Sequence, residues 1–212
     1  MYTPPHFEET RLDVLHSLMQ QHALATLVTL TAQGLVANHI PLHLRLDGSP
    51  FGTLVGHVAR SNPLWQEFDE ATQVLAIFQG PDTYISPSWY ATKPEHGKVV
   101  PTWNYAVVHA SGALQVRDDP VWVRAQLHQL VDQHEARFAK PWGVDDAPRD
   151  YTDRLINAIV GIEIPITQLT GKWKVSQNQP AANQASVVQG LQAQPGDEAA
   201  AMAALVKQYG AR

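Results

Sequence analysis

The chain has 212 residues, 44% of them hydrophobic and 17% charged, and it contains no cysteine. This composition suits an ordinary globular core, and the missing thiols exclude disulfides, thiolate metal sites and cysteine nucleophiles. A formal net charge of −5 weighs against direct binding of duplex DNA, whose partners present a basic face. No apolar run is long enough to span a bilayer. The opening MYTPPHFEETR lacks the basic-then-apolar pattern of a signal peptide, so a cytoplasmic protein with no membrane contact is expected.

In chain order, the first periodic segment is EETRLDVLHSLMQQHA, where Leu12, Leu15, Leu18, Met19 and His22 recur at helical spacing behind acidic residues. It predicts a helix from Glu8 to Gln21. LATLVTLTAQGLVANHIPLHLRLDGS reads as two β runs joined at TAQG and closed by DGS. In the second run Val36, Asn38, Ile40, Leu42, Leu44 and Leu46 share one face, while Ala37, His39, Pro41, His43 and Arg45 share the other. Pro41 lacks a ladder donor, which places this part of the strand at an edge or a bulge. FGTLVGHVA is a third strand. RSNPLWQEF opens a short helix, with Asn62 as N-cap and Pro63 as the first helical residue. TQVLAIFQG and TYISPSW read as two further strands, and VVPTWNYAVVHASGALQVR as one long strand or a tight pair broken near SG. DPVWVRAQLHQLVDQHEARF is the clearest helix, with Val123, Leu127, Leu130, Val131, His134 and Phe138 as its apolar stripe. RDYTDRLINA is a short helix, IVGIEIPITQLTGKWKVSQ a last strand pair, and two C-terminal helices flank Pro195-Gly196. Strands follow one another by hairpins, not by helical crossovers. That order favours an α+β, mainly β, antiparallel barrel with flanking helices over a doubly wound sheet.

Familiar nucleotide, hydrolase and zincin motifs are missing from the sequence. His39 and His43 share a strand face, but four strand residues span roughly 13 Å, too far for one ion. GHVARSNPLW brings Arg60, Ser61 and Asn62 to a strand-to-helix junction, where free N–H groups and a guanidinium suit a phosphate. The plainer reading is a capped surface helix beside an exposed arginine. From Gly80 to Tyr105, Tyr84, Trp89, Trp103 and Tyr105 alternate with Ser86, Ser88, Thr102 and Asn104. Aromatics at strand spacing ordinarily build core and interface, yet planar faces mixed with directional polar groups also suit a flat, polar-edged ligand. GKWKVSQN adds Lys172, Lys174, Ser176, Gln177 and Asn178, either for the same ligand or for a partner subunit.

MYTPPHF, HVARSNPLW, ISPSWY, VPTWNY and GKWKVSQN, in this order, resemble the PaiB family, described as FMN-binding negative transcriptional regulators. The resemblance implies an FMN-binding split β-barrel over residues 1–178, with 179–212 as a helical extension packed on it, and FMN held in a homodimer. By analogy with such barrels, Asn38, His39, Ile40 and Pro41 would run beside the isoalloxazine ring. His57, Arg60, Ser61 and Asn62 would hold the phosphate end. Ser86, Ser88 and Trp89 would come from a neighbouring strand. Thr102, Trp103, Asn104, Lys174, Ser176 and Gln177 would reach the cofactor from the second subunit. No residue stands out as a general base or nucleophile, so any redox chemistry belongs to the flavin. Three functions remain open on the sequence: an FMN-binding regulator of the PaiB type, a flavin-dependent oxidoreductase acting on a small molecule, and a haem-binding or haem-degrading split barrel.

Overall fold

The computed structural model describes residues 1–210. After a 3-10 turn at Pro5–Phe7 come β1 (Glu8–Glu9), α1 (Leu12–Gln21), β2 (Leu24–Thr31), β3 (Gly34–Pro41), β4 (His43–Arg45), β5 (Thr53–Ala59), α2 (Leu64–Glu67) and β6 (Val74–Ile85). A second 3-10 turn, Pro87–Trp89, leads to α3 (Lys93–His96), β7 (Thr102–Gly112), β8 (Gln115–Arg117) and α4 (Pro120–Glu135). A third turn, Val144–Asp146, leads to α5 (Arg149–Asn157), β9 (Ile159–Lys174), α6 (Ala181–Gln192) and α7 (Asp197–Gly210). The main path of the sheet runs β3-β2-β6-β7-β9-β5-β4, with β1 and β8 also paired to β9. The antiparallel reading of the sequence is borne out, but the hairpin order holds only in part: β5 and β6 follow one another in the chain and are separated in the sheet by β7 and β9.

Residues group into two compact units, into both of which β6, β7 and β9 run. One comprises 19–78 and 109–169, the other 1–18, 79–108 and 170–212. In the first, β2 pairs with β3 in the register Leu27↔Asn38 and Thr29↔Val36, and with β6 at Leu27↔Ala76. β3 lies at the end of the sheet path, so Pro41 sits on an edge strand as its missing N–H requires. β5 pairs with β4 and β9, with Gly56 opposite Ile162. A side chain at Gly56 would stand 2.8 Å from the Pro41 carbonyl oxygen, so this close approach admits only glycine. The buried core of this unit includes Leu27, Leu54, Val55, Phe78, Ile162 and Ile164. α4 rests on the sheet at Gly161, where an added Cβ would meet the Trp122 ring at 2.3 Å.

In the second unit β1 pairs with β9 at Glu8↔Lys172 and Glu9↔Gly171. A Cβ at Gly171 would lie 2.2 Å from Leu15, which sets the approach of α1 to β9. α6 packs on the Pro87–Trp89 turn, where a Cβ at Gly190 would stand 2.5 Å from the Trp89 indole. Glu9, 4% exposed, is gripped by Arg11 Nε at 2.9 Å and by the Tyr209 hydroxyl. Tyr209 in turn stacks on Trp173 at 6.5 Å, so the end of α7 is tied to β1 and β9.

Five sequence expectations need correction. Glu8 and Glu9 form a strand and not the first turn of a helix, because Lys172 and Gly171 supply ladder partners. Val74–Ile85 is one strand running through Gly80-Pro81, and Ile159–Lys174 is one strand of 16 residues, not a pair. The strand expected to run to Leu46 breaks after Pro41, and Leu46 is exposed. On α4 the buried residues are Val123 and Gln126, whereas His134 of the expected stripe is exposed and Phe138 lies beyond the end of the helix.

Candidate functional site

In the first unit a cleft of about 420 Å³ opens between the β2–β3 hairpin and the start of α2. Its polar walls are Thr29 and Thr31 of β2, Asn38 of β3, and Ser61, Asn62 and Glu67. The two asparagines are clamped together, Asn62 Nδ2 donating to Asn38 Oδ1 at 2.9 Å. Asn62 Oδ1 accepts from the Leu64 N–H at 2.9 Å, so Asn62 does terminate the helix start, although α2 itself begins at Leu64 and not at Pro63. Within the same hairpin Ile40 turns into the core, while His39 and Pro41 lie exposed on the other face.

Arg60 is engaged within the chain. Its guanidinium forms a fork with Asp118 at 2.5 and 3.0 Å, and donates to the carbonyl oxygens of Asn157 and Ile159 at 2.8 and 3.2 Å. It also lies over the Trp65 ring, 5.7 Å from the centroid. The ion pair with Asp118 raises the guanidinium pKa and lowers that of the carboxyl. The expectation that Arg60 holds a phosphate therefore requires Asp118 to let go. His57 faces α4, its Nδ1 3.0 Å from Gln126 Oε1. An amide oxygen only accepts, so Nδ1 donates in this contact.

On the same unit a second cleft, about 480 Å³, holds Arg45, Arg117, Glu163 and Trp122. Glu163 accepts from Arg45 at 2.8 Å and from Arg117 at 2.9 Å. Burial alone would raise its carboxyl pKa, but the two guanidinium bonds outweigh this and hold it below the ordinary range. With both oxygens occupied, this cluster has the makings of a structural ion network.

The second unit gathers the other candidate residues. Ser86 Oγ accepts from the Ser88 N–H at 3.2 Å, capping the turn that presents Trp89 to α6. Lys174 Nζ donates to Thr102 Oγ1 and to the Trp103 carbonyl. Burial, aided by neighbouring Lys172, lowers the ammonium pKa. Asn104, 1% exposed, donates to Ser176 Oγ at 2.9 Å. Ser176 holds φ at 65°, a left-handed conformation unusual for a non-glycine residue. Gln177 stabilises this bend by accepting from the Val175 N–H at 2.8 Å and donating to the Trp173 carbonyl. The motifs PTWNY and GKWKVSQN are thus joined by direct hydrogen bonds. Beside them Tyr84 and Trp103 meet edge-on at 6.1 Å, with 46% and 55% of their surfaces exposed.

The sequence reading missed Thr29, Trp65, Asp118 and Gln126. Thr29 had a readable signal: in LATLVTLT it occupies the alternate position after Ala25 and Leu27, a polar side chain on the inward face. Asp118 had none, since its partner lies 58 residues away.

This sheet with its flanking helices is that of a split barrel. Solved structures of the same fold include a putative 5-nitroimidazole antibiotic resistance protein from Bacteroides thetaiotaomicron (TM-score 0.55, 12% identity, 78% of this chain and 85% of that one). Another is the FAD and heme binding protein from Mycobacterium smegmatis (TM-score 0.56, 17% identity, 79% and 73%). At such identities the likeness concerns the fold alone. Residues 1–168 match the family described as "Putative FMN-binding domain". The protein "Protease synthase and sporulation protein PAI 2" of Bacillus subtilis is 30% identical over 208 residues, covering 98% of this chain and 97% of its own. An uncharacterized protein of Emericella nidulans is 32% identical over 245 residues, covering 99% and 98%. The chain belongs to the PaiB-like family of FMN-binding proteins, and its cofactor is FMN.

The cleft fits the neutral part of such a cofactor. Its hydroxyl and amide groups match a polyol chain, and the buried Thr29 Oγ1 has no hydrogen-bond partner among the described residues. Among the described residues, no helix is long and apolar enough to cross a membrane.

Proposed function

We propose that the protein is a cytoplasmic homodimer that holds FMN and acts as a regulator through a protein partner, without itself gripping duplex DNA. The carrying observation is the exposed Tyr84–Trp103 pair beside the bonded Thr102–Lys174 and Asn104–Ser176 motifs. Aromatic surface of this kind, rimmed by polar groups, marks a protein interface. The name of the Bacillus subtilis relative, with its reference to protease synthesis and sporulation, supports a regulatory role. The net charge of −5 supports an indirect one.

In this reading Asn38, with Ser61 and Asn62, lines the flavin from one protomer, and the backbone of His39, Ile40 and Pro41 runs beside the ring. The Ser86–Trp89 turn and the Thr102–Asn104 and Lys174–Gln177 segments serve the seam, and residues 179–212 act as a helical extension of the barrel domain. Bound FMN supplies any redox chemistry; the chain supplies position and exclusion of water.

Light scattering at micromolar concentration is expected to give twice the chain mass. Trp103→Glu, which places a charge in the seam, is expected to give a monomer with weakened FMN binding. A wild-type monomer that binds FMN fully would contradict the shared site.

A further inference from the structure

We propose that Lys172 and Lys174 of β9, with the rings of Tyr2 and Tyr105, form a site for a small aromatic carboxylate, separate from the cofactor. The proposal goes beyond the FMN reading and does not depend on it. The two lysines stand two residues apart on one strand, so both leave the same face, about 7 Å apart at the backbone. Lys172 is 8% exposed. Of its three N–H donors, one reaches the Tyr2 carbonyl oxygen at 3.0 Å. Its ammonium lies 5.2 Å from the centre of the Tyr105 ring and 5.7 Å from that of Tyr2. Lys174 donates to Thr102 Oγ1 and to the Trp103 carbonyl, which leaves it one donor. Among the described residues neither lysine is ion-paired with a carboxylate.

A cation withdrawn from water without a counter-ion destabilises the folded chain. Glu8, opposite Lys172 in the β1–β9 ladder, is exposed and joined to neither lysine. Two cations beside one acid leave a single positive charge, which a monoanion matches and a phosphate dianion exceeds. The cover on Lys172 specifies the rest of the ligand. Tyr2 belongs to residues 1–4, which form neither helix nor strand, and it is exposed. Its carbonyl oxygen marks where an acceptor meets the ammonium. A carboxylate oxygen in that place makes a charge-assisted bond of about twice the strength. A ring carried by that carboxylate meets the tyrosine rings, with which aromatic groups pair favourably.

The test titrates benzoate, benzamide, acetate and inorganic phosphate into FMN-loaded and cofactor-free protein, followed by calorimetry and by the NMR shift of the Tyr105 amide. Benzoate is expected to saturate one site per chain in both forms. The other three are expected to bind about 10-fold more weakly or worse, for want of the charge, of the ring, or of the matching charge. Lys172→Met keeps an unbranched stem and removes the ammonium. It is expected to weaken benzoate by about 10- to 100-fold and to leave FMN affinity unchanged. Lys174→Met is expected to weaken benzoate over the same range, and it alone decides if Lys172→Met fails to fold. No benzoate binding, equal affinity for benzoate and benzamide, tighter binding of phosphate, displacement of FMN by benzoate, or undiminished benzoate affinity in a folded variant overturns the assignment. A wild type that binds no FMN refutes the FMN reading, and the benzoate titration is then read on the cofactor-free protein by the same criteria.

Discussion

Glu9→Gln is expected to cost on the order of 2 kcal/mol of stability at neutral pH, seen as a Tm lowered by roughly 4–8 °C. Burial of Glu9 by itself would raise its pKa. Hydrogen bonds from Arg11 and Tyr209 outweigh that and bring it from 4.5 to about 2. A carboxyl whose folded-state pKa is depressed contributes stability that is complete above its unfolded pKa and lost as pH falls through the folded one. The wild type should therefore lose this contribution between about pH 4.5 and 2, the interval set by that shift. Glutamine cannot ionise, so the gap between the two proteins should close across the same interval. The figure is kept below the full shift because Arg11 is 40% exposed and partly screened. Thermal unfolding of both proteins from pH 7 downward checks this, and a gap that stays constant with pH would show that Glu9 acts by packing and not by charge.

Asn104→Ala is expected to cost about 1–3 kcal/mol, since it strips a buried partner from Ser176 Oγ. The effect should reach beyond one bond. Ser176 sits in a left-handed conformation that its surroundings must enforce, and the bend it makes separates Lys174 from Gln177. Urea unfolding of Asn104→Ala, Ser176→Ala and the double variant forms a closed cycle, for which coupling of about 1 kcal/mol is expected. Strict additivity would mean that the two side chains do not support each other.

The sequence was most legible where pattern is local. Alternation in β2 and β3, hairpin punctuation at Ala32-Gln33, the α5 helix and the Pro195-Gly196 break between α6 and α7 all appear at the expected places. It was least legible where a distant partner decides. Acidic Glu8 and Glu9 look like a helix start until β9 is folded beside them. Gly80-Pro81 looks like a stop, but β6 continues through it, with the Gly80 position pressed to 2.8 Å of Leu18. On α4 a glutamine replaces the expected leucines in the buried row because His57 stands opposite with a ring nitrogen to satisfy. For the site, Asn38 with Asn62 and Asn104 with Ser176 emerged as bonded pairs from motifs singled out in the sequence. Arg60 looked like a free cation because nothing near it in the chain announces Asp118.

The central claim is that this chain holds FMN. Its most direct test is a titration of FMN into protein stripped of cofactor, followed by flavin fluorescence and by the visible absorption spectrum. Saturable quenching at one FMN per chain is expected, with flavin bands that travel with the protein through gel filtration. A protein that leaves FMN fluorescence unchanged at every concentration, or that takes up haem and shows a Soret band in its place, would contradict it.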